Sequence, residues 1–137
     1  MKKLLCLLVT LVMTVSCLAQ VSGSEFVGTY VGKQSNGTEF EVVRIAIQGG
    51  NLMAIDPERP QKPFEVRVPS RQEVTWWLRN RPLMPFVADQ LSGITTRDGG
   101  VDQMFLWKFP VGTVLDGKAS TTGYAVIGMA MVEVHKR

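Results

Sequence analysis

Two sets of residues in this chain combine types and spacing that could do chemistry. One is basic and aromatic: Arg67, Arg71, Trp76, Trp77, Arg79 and Arg81. Neighbouring residues on a strand point to opposite faces. A strand over residues 73–79 therefore groups Trp76 with Val74 and Leu78, and Trp77 with Thr75 and Arg79. Trp76 then belongs to the core, while Trp77, Arg79 and Arg81 form an exposed patch. Tryptophan beside arginine is the composition of cation–π contacts and binding hot spots, suited to an anionic ligand, a glycan or a partner protein. The alternative is that Trp77 packs beneath residues 82–91 and the arginines keep a rim soluble. The other set is apolar: Phe105, Trp107 and Phe109 share one strand face, with Met129 and Met131 further on. They either line a ligand cavity or fill a solid core; Phe105, Trp107, Phe109 and Met129 are the candidate ligand wall.

Catalytic chemistry has little to draw on. The one histidine, His135, reads as an exposed residue in a fraying tail, and a Ser–His–acid site needs it held by an acid and aimed at a serine. No nucleophile elbow, phosphate-binding glycine loop or EF-hand spacing is present. One histidine among carboxylates is a poor zinc set, so neither metal nor cofactor is expected. Glu39 and Glu41, two apart on one strand face, hold carboxylates about 7 Å apart, within reach of glycosidase geometry. Flanking a hairpin, they read instead as a solvated rim. The expectation is a non-enzymatic protein.

Charge and cysteine usage narrow the class. Lys2 and Lys3, an apolar run over residues 4–15, and Cys17-Leu18-Ala19 before Gln20 have the form of an export signal with its cleavage site. The apolar run is short of the ~20 residues that cross a bilayer. The expected organisation is a signal peptide over residues 1–19 and one domain over 20–137, periplasmic or secreted. Residues 13–17 also resemble a lipobox, although Thr14 stands where a leucine is usual; the alternative is an outer-membrane lipoprotein tethered through Cys17. Both cysteines, Cys6 and Cys17, precede residue 20, so the domain has no disulfide, thiolate metal site or cysteine nucleophile. The chain has 15 Lys and Arg against 12 Asp and Glu, and two of the lysines lie in the leader. A nucleic-acid binder carries a strong basic excess, so no nucleic-acid partner is expected.

The elements that must position these residues read as β throughout. Residues 26–33 and 39–48 flank Asn36-Gly37, the strongest short hairpin signal. Within 39–48, Val43, Ile45 and Ile47 share a face while Phe40 and Val42 take the other, which calls for two covered faces or a bulge near 42–43. Gly49-Gly50 turns the chain into residues 52–55, three prolines make 56–63 an exposed loop, and 64–68 alternate cleanly. Ser70 and Glu73 fit a capping box, but Val, Thr and Trp dominate 73–79 and favour a strand. A short helix over 86–91, a strand over 101–109, a hairpin at Asp116-Gly117 and a doubly apolar strand over 124–134 complete the pattern. Met104 and Leu106, opposite the aromatic face, suggest a covered sheet or a homodimer contact. The fold class is all-β: an antiparallel up-and-down barrel of about eight strands, or alternatively a β-sandwich, with at most one short helix.

Phe26-Val27-Gly28-Thr29-Tyr30 resembles the opening of the first strand in lipocalins and fatty-acid-binding proteins, and the chain is similar to small exported bacterial lipocalin-like domains. The resemblance implies a calycin-type barrel in which Tyr30 closes one end against a basic residue from a late strand: Arg97, Lys136 or Arg137. The functional expectation is a domain that binds a small apolar or amphipathic ligand. The alternative is an envelope interaction or inhibitor module using the Trp77/Arg79/Arg81 patch or loop 56–63.

Overall fold

The computed structural model describes residues 21–82, 84–96, 104–127 and 130–137. The leader reading and the candidates Met129 and Arg97 fall outside them. A 3₁₀ turn, Ser24–Phe26, leads into β1 (Gly28–Lys33), β2 (Glu39–Gln48), β3 (Asn51–Ile55) and β4 (Phe64–Arg67). Helix α1 (Arg71–Arg79) and a second 3₁₀ turn, Ala88–Gln90, precede β5 (Ser92–Thr96) and β6 (Met104–Lys108). A small hairpin, β7 (Val114–Leu115) and β8 (Lys118–Ala119), separates these from β9 (Tyr124–Ile127) and β10 (Met131–Lys136).

Eight strands close on themselves in the order β1-β10-β9-β6-β5-β4-β3-β2, every neighbouring pair antiparallel. This is the expected barrel, and the sandwich alternative falls. The turns behave as their residues demand: Gly49-Gly50 (φ 58° and 79°) and Asp116-Gly117 (φ 48° and 77°) have both central residues at positive φ, the geometry that matches strand twist. Between β1 and β2 the register passes from Tyr30↔Val43 to Val31↔Glu41. Val42 is the extra residue of a bulge, and the phase change in β2 follows from it. The apolar run 124–134 is not one strand but two, β9 and β10, paired antiparallel.

The interior is filled from every side. Tyr30, Val43, Ile45, Leu52, Ala54, Val66, Ile94, Leu106 and Val134 form one cluster with Phe26, each at 5% exposure or less. Side chains lining an open cavity would show surface to a water-sized probe, so this layer is a packed floor. Leu106 is thereby an inward residue rather than a dimer contact.

Helix α1 overturns the strand expected over 73–79. Ser70 Oγ accepts the Glu73 amide at 3.2 Å and the Glu73 carboxylate accepts the Ser70 amide at 2.6 Å, a complete capping box. Burial of Val74 and Trp77 on the barrel wall then outweighs the modest strand preference of Val, Thr and Trp.

Candidate functional site

A helical period in place of a strand period exchanges the two tryptophans. Trp77 is 2% exposed and Trp76 is 47% exposed, the reverse of the sequence expectation. Trp77 packs with Val74, Leu91, Trp107, Phe109 and Ala125, with Met84, Phe86 and Met131 at the margin. Its ring meets Trp107 edge-on at 4.8 Å, and Trp107 meets Phe86 at 5.1 Å. The bland reading, Trp77 beneath residues 82–91, is therefore the observed one. Arg81 does lie over the Trp77 ring, at 4.5 Å from its centroid, while Arg79 stays with Trp76 on the outer side of α1. The Trp77/Arg79/Arg81 patch does not exist as one exposed surface.

The candidate ligand wall is divided as well. Leu106 points into the barrel, so its neighbour Trp107 points out, and both Trp107 and Phe109 belong to the cluster beneath α1. Of the three wall candidates among the described residues, Phe105 alone packs against the inner cluster. A register shift between β5 and β6, from Ile94↔Leu106 to Thr95↔Met104, leaves Phe105 as the extra residue and breaks its alternation with Trp107.

Phe105 has aromatic company at one end of the barrel. Reversals of an up-and-down barrel alternate between its two ends, which places the 34–38 hairpin and the 56–63 loop together. Phe64, at the start of β4, shares a face with the buried Val66 and lies 5.8 Å from the Phe105 ring. Phe40, at the start of β2, pairs with Gly32, and a Cβ added at Gly32 would meet the Phe40 ring at 2.8 Å. That ring therefore folds over the bare glycine. Phe40 and Phe64 are each 39% exposed, and Val42 and Val132 are half-buried against the core below them. These side chains make an apolar mouth above a packed floor. The clean alternation of residues 64–68 already turns Phe64 inward with Val66, but nothing in the sequence marks it as a site residue; Phe40 is missed because the phase change at Val42 disguises its direction.

The opposite end is closed. Tyr30 is fully buried, donates its hydroxyl to the Phe26 carbonyl at 2.7 Å, and meets Tyr124 edge-on at 5.5 Å. Burial, with the nearby Tyr124 and Glu25 charges, pushes its pKa far above the tyrosine range. Of the basic candidates, Lys136 is Tyr30's register partner in β10, and its side chain crosses Gly28, where a Cβ would meet Lys136 Cε at 2.7 Å. Its Nζ donates to the Glu25 carbonyl at 2.5 Å, so Lys136 straps the 3₁₀ turn and β1 together.

Two acid–base groups lie on the outer wall. His135 is half-buried within β10 rather than in a frayed tail, with Nε2 3.6 Å from Glu39 Oε1, and Arg137 also pairs with Glu39. Glu41 pairs with Arg44, so each carboxylate of the Glu39/Glu41 pair is tied to its own cation. Glu133 accepts Ser120 Oγ at 2.6 Å, the Thr121 and Thr122 amides at 2.8 and 3.2 Å, and Thr122 Oγ1 at 3.2 Å. Burial works against its charge, but these four donors outweigh it and hold the carboxyl below its usual range. Beside it runs a groove of about 510 Å³ bordered by Val31, Lys33, Glu39, Thr122, Met131 and His135. No cluster of three or more metal-ligating residues occurs among the described residues.

No family model, no curated protein and no solved structure matches this chain. The site must be read from its own geometry.

Proposed function

We propose that this protein is an exported, non-enzymatic, calycin-like barrel that binds a small apolar or amphipathic ligand at its mouth. The observation that carries the reading is the partly exposed ring set Phe40, Phe64 and Phe105 over a floor of fully buried side chains. Exposed apolar surface gathered at one place marks a binding site more often than scattered exposure does. The driving force is removal of ligand surface from water, at roughly 25 cal/mol per Å². A seat on rings above a solid floor buries one face of the ligand and leaves a polar head in solvent. Arg59 and Lys62, exposed on the 56–63 loop at the same end, suit an anionic head. The closed end supports the calycin reading: a 3₁₀ turn, Gly28-Thr29-Tyr30 on the first strand, and a strapping Lys136 on the last.

Native mass spectrometry of the envelope-purified protein, compared with its denatured mass, tests this directly. A passenger lost on denaturation is the expected result. In parallel, uptake of a fluorescent long-chain fatty acid should fall about tenfold in Phe64→Ser and Phe105→Ser, the loss of one apolar contact face. A bare chain that takes up the probe no better than its folded Phe64→Ser variant would overturn the proposal.

A further inference from the structure

The outer face of α1 holds a second arrangement, independent of the mouth. Arg71, Gln72, Thr75, Trp76 and Arg79 line a groove of about 430 Å³, within the size range of small-ligand sites. The spacing is that of one helical face, where residues three and four apart are neighbours. Trp76 is the most exposed aromatic side chain among the described residues, at 47%. Its indole is therefore open to a ligand, and an amphipathic ring of this size offers both an apolar face and a polar N–H.

The polar groups around it are specific. Arg71 pairs with Asp89 at the solvent-exposed rim of the groove. Thr75 Oγ1 donates to the Arg71 carbonyl at 2.9 Å, so its hydroxyl oxygen remains an acceptor. Asn80 donates its side-chain amide to the Trp76 carbonyl at 2.8 Å, which secures the last turn beneath the indole. Arg67, by contrast, is committed to Glu73 and does not line the groove. Arg79 makes no ion pair among the described residues and lines the groove with its charge available.

A flat exposed indole, a free guanidinium, and amide and hydroxyl groups on one open face match a particular ligand chemistry. The apolar C–H face of a sugar ring covers an indole, ring hydroxyls pair with an amide and a hydroxyl, and a carboxylate or sulfate pairs with a guanidinium. We infer that this face of α1 binds an acidic saccharide, with Trp76 as the stacking platform, Arg79 as the anion contact and Gln72 as the hydroxyl partner. An acidic peptide would use Arg79 but would not need the flat ring, and is the competitor the test must separate.

The chain has three tryptophans, of which Trp77 and Trp107 are buried, so a ligand on α1 perturbs Trp76 emission alone. The full chain is titrated with tetragalacturonate, with maltotetraose and with tetraglutamate, reading fluorescence and heat. Expected is saturable binding of tetragalacturonate, weakened about tenfold or more by Trp76→Ala and by Arg79→Gln, each the size of one stacking or charge-assisted contact. Phe64→Ser should leave it unchanged, which separates failure here from failure at the mouth. Trp76 is exposed, so its variants keep the wild-type circular dichroism. Equal binding of maltotetraose or of tetraglutamate, or no binding of tetragalacturonate at millimolar concentration, overturns the inference.

Discussion

The Arg67 guanidinium grips the Glu73 carboxylate with two nitrogens, at 2.9 and 2.7 Å, joining the end of β4 to the first turn of α1. The same carboxylate completes the capping box with Ser70. One side chain thus starts the helix and fixes it to the barrel.

Removing that side chain should cost accordingly. Glu73→Ala loses cap and ion pair and is expected to destabilise the fold by about 1–2 kcal/mol. Glu73→Gln keeps the capping geometry and should lose roughly 0.5 kcal/mol, because the pair is partly solvated. Urea unfolding of the two variants beside the parent checks both figures.

The Arg67 contact, with the Ser70 amide, lowers the Glu73 pKa to about 2. As pH falls, the unfolded chain therefore takes up this proton before the folded one does. The stabilisation is complete above the ordinary carboxylate range and disappears as pH approaches 2. The gap between parent and Glu73→Gln should be widest near neutral pH and close between pH 4.5 and 2. A gap independent of pH would contradict it.

Tyr30 works in the opposite direction on the pH scale. Its folded pKa is raised, so the unfolded chain releases the proton first, and stability falls as pH climbs past the usual tyrosine value of about 10. Of the two tyrosines, Tyr30 should ionise only on unfolding. Ultraviolet difference titration should show that step coinciding with loss of the folded spectrum. Tyr30→Phe leaves the Phe26 carbonyl without its donor and should cost about 1–3 kcal/mol.

Trp107→Ala is expected to be the most damaging of these changes, at about 3–5 kcal/mol, the range for deleting a large buried aromatic. Its ring is fully buried against Trp77 and Phe86. In any variant that remains folded, fatty-acid uptake at the mouth should persist, since Trp107 lies outside the barrel. Thermal unfolding and probe binding, measured together, separate the two effects.

Glu133 holds residues 120–122 through four hydrogen bonds. Glu133→Ala should accelerate amide exchange at Thr121 and Thr122 by at least tenfold, equivalent to about 1.4 kcal/mol of local opening. The amides of β2 and β3 should be unaffected.

The barrel was legible in the sequence because its turns are chemical. Asn36-Gly37 and Gly49-Gly50 can do little else, and the spacing between them leaves room only for short strands; Asp116-Gly117 turns the small β7–β8 hairpin outside the barrel for the same reason. The phase change near Val42 was legible too, as either a bulge or two covered faces, and strand pairing decides for the bulge. The helix was not, because two local signals conflict over residues 70–79. The capping box argues for a helix, the side-chain types argue for a strand, and the deciding quantity is burial of Val74 and Trp77 against a wall distant in sequence. That single choice of period also decided which tryptophan faces solvent. Phe105 reaches the inner cluster without Trp107, because their alternation is broken by a register shift that only strand pairing reveals.

The seam of the barrel joins its first strand to its last. Lys136 reaches Glu25 across 111 positions of sequence, and β1 has no second neighbour until β10 arrives. Loop closure over such a span is slow, and the ring cannot form by stepwise hairpin growth alone. Until it closes, β1 and β9 each present a bare edge able to pair with another chain. The vulnerable species is thus the nearly finished one: a folding chain with seven strands in place, open along a single line.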